Sequence, residues 1–124
     1  MQKLTLNTDF APTFAELAGV EGFPADGRSL APLLGGGEDP SWRTSVLLER
    51  LPTQRGYQAV RTETHKYVEY NNGETELYDL EADPYELDNI YESADPALLE
   101  DLKARLEALR DCSEEGCWEA EDAP

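Results

Sequence analysis

The sequence predicts an α+β fold in which a small four-stranded antiparallel sheet is packed by a C-terminal helix. Strands are indicated because apolar and polar residues alternate over residues 44–49, 57–62, 65–70 and 74–80. Asn72-Gly73 suits a two-residue hairpin turn, since glycine accepts a positive φ. The helix is indicated by leucines that recur at spacings of three and four.

The N-terminal region is predicted to contain a short helix. Thr8 or Asp9 can cap it, and Gly19 can end it because glycine accepts the left-handed conformation that follows many helices. One face of this helix is apolar and requires a partner; its residues are Phe10, Phe14, Leu17 and Ala18.

Turn-forming residues divide the chain. Residues 22–40 are rich in glycine and proline, and we place a boundary where three glycines follow one another at 35–37. The expected units are therefore 1–35 and 36–117, followed by 118–124, an acidic tail that we expect to be loose.

The C-terminal helix is predicted to begin at Asp95, a capping residue, with Pro96 at its first position. Its leucine stripe should lie across one face of the sheet; the stripe comprises Leu98, Leu99, Leu102, Leu106 and Leu109. Two ion pairs are expected on the opposite helix face: Asp101 with Arg105, and Glu107 with Arg110.

The chain is strongly acidic, with 27 Asp and Glu against 10 Lys and Arg and a formal net charge of −17. This charge argues against nucleic acid or an anionic membrane as a partner, since phosphates would be repelled. The excess of carboxylates otherwise fits a solvated surface. Residues 43–66 are different, because five basic residues stand there against two acidic ones.

Three patterns follow one another in a fixed order: YxAVRT at 57–62, KYxxY at 66–70 and ELYDLxxDPxExxN at 76–89. This order resembles the C-terminal subdomain of the type I sulfatases, which belong to the alkaline phosphatase superfamily. Upstream, TDFAPTFAELAGV and DGRSLAPLL resemble the segment that closes the sulfatase catalytic domain. Downstream, LRDCSEEGC at 109–117 resembles the tail of the N-acetylglucosamine-6-sulfatase-like branch.

The resemblance implies that residues 1–35 are the tail of an α/β catalytic domain, whose closing helix precedes the small sheet. Sulfatases hydrolyse sulfate esters with a formylglycine made from a C/S-x-P-x-R motif and with a calcium ion. This sequence contains no such motif, so the chain alone is predicted to be inactive and to hold no cofactor. The expected partners are the catalytic domain and, through the branch, a sulfated carbohydrate.

Two other functions remain open. The chain would be a non-catalytic interaction module if it worked without a catalytic domain. It would belong to a phosphodiesterase or phosphonate hydrolase if the nucleophile were that of another branch of the superfamily. The sequence upstream of Met1 would decide, because only a sulfatase requires C/S-x-P-x-R there.

Three cationic residues are candidates for contact with a sulfated substrate. Arg50 and Arg55 flank the loop between the first two strands, and loops of this kind commonly shape a cleft. His65 is the only histidine and lies beside Lys66 in the basic middle of the chain. For Arg61 and Lys66 we expect structural ion pairs with carboxylates such as Asp79 or Asp83.

The acidic run from Asp79 to Asp88 could suggest calcium, because calcium takes carboxylate oxygens. The spacing of an EF-hand fails, since Pro84 and Ile90 occupy the positions of the required glycine and glutamate. We therefore expect turn formation and no metal site.

Cys112 and Cys117 enclose four residues, a spacing compatible with a disulfide and also with two free thiols. The sulfatase resemblance favours the disulfide. A disulfide would indicate an oxidising compartment, so we expect an extracytoplasmic or secreted protein. Zinc is disfavoured because two cysteines and one distant histidine do not supply four ligands.

Overall fold

The computed structural model describes residues 3–50, 56–113 and 115–124, which form two compact units, Met1–Trp42 and Arg43–Pro124. The helices and strands are as follows: α1 (Phe10–Leu17), α2 (Ala31–Leu34), β1 (Ser45–Arg50), β2 (Tyr57–Thr62), β3 (His65–Tyr70), β4 (Thr75–Asp79), α3 (Pro96–Arg110) and α4 (Glu115–Glu121), with single 3-10 turns at Asn7–Asp9 and Tyr91–Ser93.

The first unit extends seven residues beyond the boundary that the glycines predict. Trp42 belongs to it because the indole is buried and its Nε1 donates a hydrogen bond to the Leu4 carbonyl at 2.8 Å. The glycine-rich segment therefore lies inside this unit, and the second unit begins at Arg43.

Asp9 organises the first unit. Its carboxylate is fully buried and accepts hydrogen bonds from the backbone N–H groups of Leu6 at 2.7 Å and Arg28 at 2.9 Å. Asp9 occupies the N-cap position of α1, but its side chain bonds these two groups rather than a helical N–H. At Gly27, a Cβ would stand 2.2 Å from the Thr8 carbonyl oxygen, so only glycine lets the two segments meet this closely.

The apolar face of α1 is exposed in this structure, as the sequence predicts. Phe10, Phe14 and Leu17 are 55%, 66% and 64% exposed, and the two phenyl rings stack with centroids 6.3 Å apart. Gly19 follows the helix with φ of 73°, in the left-handed region.

The second unit is built on a meander of four antiparallel strands in the order β1-β2-β3-β4. Leu47, Val60, Tyr67 and Leu77 lie opposite one another across the four strands and form the row that α3 covers. Leu102, Leu106 and Leu109 of α3 are buried against this row, with Leu98 and Leu99 at its margin. The predicted fold class and the leucine stripe are confirmed.

The β3–β4 turn is one residue longer than the two-residue turn that Asn72-Gly73 suggests. The Tyr70 N–H donates to the Glu74 carbonyl at 2.9 Å, so residues 71–73 form the turn. Gly73 takes φ of 88°, which matches the three-residue hairpin that ends in a left-handed glycine.

Ion pairs differ in part from those expected. Asp101 and Arg105 pair at 2.7 Å, as predicted, whereas Arg110 bonds Glu69 of β3 at 2.8 Å rather than Glu107. Lys66 pairs with neither Asp79 nor Asp83.

Lys66 pairs instead with Glu86, whose Oε2 lies 2.5 Å from the Lys66 Nζ. Glu86 has φ of 56°, a conformation that costs roughly 1 kcal/mol in a non-glycine residue, and the bond to Lys66 stabilises its side chain there.

The C-terminal residues differ from the expected loose tail. They form α4, whose Glu121 carboxylate lies 3.0 Å from Nε of the buried Arg43. The Thr44 N–H also donates to the Glu121 carbonyl at 2.8 Å. Order at this end thus depends on partners in the segment that leads into β1.

Within the described residues, no helix combines the length and apolar character needed to cross a bilayer.

Leu106→Ala should destabilise the second unit by about 2–5 kcal/mol, because its side chain is fully buried between α3 and the sheet. Chemical denaturation followed by circular dichroism would measure the loss. Leu87→Ala is the control: Leu87 is 78% exposed and its truncation should cost less than about 0.5 kcal/mol. Equal effects of the two substitutions would contradict this packing.

Glu69→Gln should abolish part of the pH dependence of stability below about pH 5, near the unfolded pKa of a glutamate. Burial alone would raise the pKa of Glu69, but hydrogen bonds from Arg110 and Tyr67 hold it below the ordinary 4.5. A lowered folded-state pKa stabilises the protein above the unfolded value, and that stability is lost as pH falls through the folded value.

Denaturation midpoints across this pH range would measure the effect. The difference in stability between the parent and Glu69→Gln should shrink on acidification. Glu107→Gln, on an exposed site of α3, is the control, and a parallel pH profile for parent and Glu69→Gln would refute the assignment.

Candidate functional site

The candidate substrate-binding residues do not converge in the structure. Arg50 ends β1 beside Tyr57, which pairs with Tyr70 at the far end of β3, whereas His65 begins β3. Tyr70 and His65 are five residue steps apart along β3, about 16 Å at roughly 3.3 Å per step. Arg55 lies outside the described residues.

Arg50 and His65 also lie on opposite faces of the sheet. Residues alternate between faces along a strand, so Arg50 shares a face with Leu48, and His65 shares the other face with Tyr67. Since α3 covers Tyr67, His65 lies on the helix side and Arg50 on the side away from α3.

Arg50, Tyr57 and Tyr70 form a cross-strand row, which we call the tyrosine row. The two phenol rings meet edge to face with centroids 5.8 Å apart, and the Tyr70 hydroxyl donates to Glu76 at 3.1 Å. Burial, followed by the bond to Glu76, raises the pKa of Tyr70, so this phenol stays neutral and a donor.

The row has the chemistry to contact a sulfated sugar. The Arg50 side chain is exposed, and a guanidinium binds a sulfate-like oxyanion through two parallel hydrogen bonds. Tyrosine rings offer apolar area with a polar tip, which suits the C–H groups and hydroxyls of a pyranose. The Asn71 N–H donates to the Gly56 carbonyl at 2.9 Å and ties the β3–β4 turn to the start of β2.

The opposite end of the sheet contains a cavity of about 260 Å³. It is lined by Thr44, Thr62, Glu63, Thr64, His65, Leu98, Asp101, Leu102 and Arg105. His65 Nδ1 lies 2.8 Å from the Thr64 hydroxyl. Arg105 is engaged by Asp101 and by the Ala123 carbonyl at 2.9 Å, and two carboxylates line the cavity, so a sulfate would find little net attraction there.

The acidic run after β4 forms turns. Asp79 accepts hydrogen bonds from the N–H groups of Glu81 and Ala82, each at 3.0 Å. The Ala82 N–H, with help from that of Glu81 and from nearby His65, lowers the pKa of Asp79. Asp83 accepts hydrogen bonds from the backbone N–H groups of Leu87 at 2.6 Å and Asp88 at 2.8 Å.

These bonds commit the carboxylates to backbone groups. Over the part of the chain that the structure describes, no group of three or more His, Cys, Asp or Glu residues is placed to hold a metal. Calcium therefore has no fitting donor set among the described residues.

Cys112 and Cys117 form a disulfide with Cα atoms 4.9 Å apart. Neither sulfur is therefore free to serve as the precursor of a formylglycine. The resemblance led us to expect this disulfide, and in the structure it joins the end of α3 to α4, a helix that was not expected.

Sequence reasoning missed two features of these sites. The tyrosine row had a signal, since Tyr57 and Tyr70 bound the two central strands and a hairpin register brings such positions together. The contact of Arg105 with the Ala123 carbonyl had no signal in the sequence. It joins α3 to a terminal segment that was expected to be loose.

Comparison with known proteins agrees with this architecture. The family described as N-sulphoglucosamine sulphohydrolase, C-terminal, matches residues 1–112. N-acetylglucosamine-6-sulfatase of Bos taurus is 30% identical over 92% of this chain and 27% of its own length. N-acetylglucosamine-6-O-sulfatase of Bacteroides thetaiotaomicron is 37% identical over 76% of this chain and 19% of its own.

Two solved structures are similar in fold. One, in complex with its substrate D-glucosamine-2-N,6-O-disulfate, has a TM-score of 0.76 and 29% identity, covering 92% of this chain and 24% of that one. The phosphonate monoester hydrolase of Agrobacterium radiobacter has a TM-score of 0.71 and 27% identity, covering 89% and 25%.

This chain spans about a quarter of the length of the curated relatives it matches. The relatives are sulfatases, and the matched segment is their C-terminal region. The chain therefore belongs to the N-sulphoglucosamine sulphohydrolase C-terminal family, the C-terminal region of sulfatases, and it is similar to members of the N-acetylglucosamine-6-sulfatase branch.

Proposed function

We propose that this chain supports the catalytic domain and the substrate cleft of a sulfatase that hydrolyses sulfate esters of a carbohydrate. The observation that carries the proposal is the fold match, over 92% of the chain, to a protein bound to a disulfated glucosamine. The nucleophile and the calcium site would belong to the rest of the protein. Calcium and formylglycine would supply sulfate binding and nucleophilic attack there.

The proposed partner of the first unit is the α/β catalytic domain. Phe10, Phe14 and Leu17 present a contiguous apolar face to solvent, and such faces usually mark an interface. The relatives are about four times as long as this chain, so they contain the additional protein that such a face requires.

The tyrosine row is the proposed substrate contact, with Arg50 as its cation. Arg50 is exposed, stands beside two aromatic side chains and leads directly into the segment that contains Arg55, the second proposed contact. His65 is the weaker proposal, because its cavity contains two carboxylates that oppose an anion.

Two alternatives have specific support. The match to a phosphonate monoester hydrolase allows a related hydrolase of the same superfamily, since the C-terminal region alone does not carry the nucleophile. A non-catalytic interaction module would also present an apolar face. The presence of C/S-x-P-x-R upstream of this segment in the complete protein would favour the sulfatase over both.

We also propose an extracytoplasmic or secreted location. The support is the Cys112–Cys117 disulfide, because disulfides persist mainly in oxidising compartments. Exported and cytoplasmic fractions of the source cells, probed for this chain, would test the location.

The complete protein should release sulfate from a 6-sulfated glucosamine, and the isolated chain should release none. Ion chromatography of released sulfate would measure both. Release of phosphonate-ester product in preference to sulfate would transfer the assignment to the related hydrolases.

Arg50→Ala in the complete protein should raise KM for a sulfated glucosamine roughly 10- to 100-fold, the effect expected when a charge-assisted hydrogen bond is lost. A small aryl sulfate, which lacks the sugar, should retain its kcat/KM. Arg61→Ala is the matched control, because Arg61 is exposed on the same sheet face but lies near the other end of β2. Equal KM values for the parent and Arg50→Ala would contradict the proposed contact.

The isolated chain should associate with itself through the α1 face. Sedimentation velocity at increasing concentration should show growing particles, and Phe14→Ser should reduce the growth because it breaks the apolar face. Tyr85→Ser is the control, since Tyr85 is 83% exposed but lies in the loop after β4. A monomer with a sharp, concentration-independent thermal transition would argue against the interface.

A further inference from the structure

The short helix α4 depends on contacts outside itself for its order. It has seven residues, a length at which isolated helices are marginal in water, and Gly116 lowers its propensity further. Its last turn has no basic residue to offset the partial negative charge of the helix C-terminus. Four acidic residues within 115–122 add repulsion in a chain of net charge −17.

Two anchors hold α4 near its ends, and Ala120 between them packs against the core of α3 and the sheet. At its start, the disulfide ties Cys117 to Cys112, which follows the last turn of α3. At its end, the Glu121 carboxylate lies 3.0 Å from Arg43 Nε, and both side chains are buried. Removal of one partner of a buried ion pair leaves an uncompensated charge, which is strongly unfavourable.

Backbone groups extend the second anchor. Thr44 donates from its N–H to the Glu121 carbonyl at 2.8 Å and from its hydroxyl to the Ala123 carbonyl at 2.5 Å. Arg105 of α3 donates to the Ala123 carbonyl at 2.9 Å and to the Pro124 carbonyl. Residues 121–124 therefore lie along the start of β1 and the middle of α3.

We propose that the Cys112–Cys117 disulfide is a redox-controlled clip for α4, closed in the oxidising location proposed above and opened where the protein meets a dithiol reductant. While it is closed, α4 starts where Glu121 can reach Arg43. Once it is open, the marginal helix and residues 121–124 separate from β1, because the Glu121 anchor and the small Ala120 contact must then order a short acidic segment without the covalent link.

The opening step is a thiol–disulfide exchange with a dithiol reductant. A thiolate of the reductant attacks one sulfur of the disulfide, the S–S bond breaks, and the departing cysteine thiolate takes up a proton. The second thiol of the reductant then displaces the other cysteine from the mixed disulfide. Two electrons and two protons reach the protein, and the reductant becomes a cyclic disulfide.

The release should stay local. The core does not include the disulfide: it consists of the α3 leucines packed on Val60, Tyr67 and Leu77. The disulfide joins two cysteines that are only five positions apart in sequence. A consequence follows for the cavity beside His65: Thr44 and Arg105 both line it and both bind residues 121–124. Opening of the clip would free their polar groups toward the cavity.

Hydrogen exchange of the Thr44 amide in the full chain tests the clip, because that amide donates directly to Glu121. Exchange should be slow in the oxidised chain and roughly tenfold or more faster after reduction with excess dithiothreitol. The amide of Leu106 in the core reports global unfolding and should change little. Unchanged Thr44 exchange on reduction would overturn the proposal, and so would a loss of Leu106 protection, since the disulfide would then support the whole unit.

Three variants complete the test. The double substitution Cys112→Ser with Cys117→Ser should show fast Thr44 exchange with and without reductant. Glu121→Gln keeps the disulfide but removes the charge opposite Arg43, so Thr44 exchange should accelerate even in the oxidised chain. Glu119→Gln is the matched control, an exposed residue of the same helix with the same charge change, and should behave like the parent.

Discussion

The contact between the leucine stripe of α3 and the apolar row of the sheet is the central interaction of the second unit. Leu102 and Leu106 cover Val60 and Tyr67, which removes one face of a small sheet from water. A four-stranded meander of this size has too little buried surface to persist alone, so the helix supplies the second layer. The ends of the strands project beyond this contact and are free to carry polar chemistry.

That arrangement separates the row under α3 from the proposed substrate contacts. The row through Tyr67 is buried, whereas the row through Arg50 and Tyr57 lies at the strand ends on the face away from α3. Arg50 is exposed and the two tyrosines are half-buried, so the margin of the sheet fixes these side chains in position. A larger hydrolase would gain from such a module a placed cation and two aromatic rings, while its own domain provides the reactive groups.

The two units also differ in how far they bury their own apolar side chains. Arg43–Pro124 buries Leu102, Leu106 and Leu109 of α3 within itself, but Met1–Trp42 leaves Phe14 and Leu17 in water. The buried carboxylate of Asp9 and the close approach at Gly27 give the first unit a defined backbone despite that exposed face. Its order is thus polar and local, and its apolar surface is suited to a partner.

The sequence by itself determined the four strands, α3 and the family, because alternation, leucine spacing and the ordered motifs are local signals that neighbouring residues carry. It also indicated the cysteine pair and the orphan face of α1. Only the tertiary structure decided that Arg50 and His65 lie at opposite ends and faces, that Lys66 bonds Glu86, and that the acidic end forms a helix on Arg43. These outcomes depend on strand register and on contacts between residues distant in sequence, which no local pattern specifies.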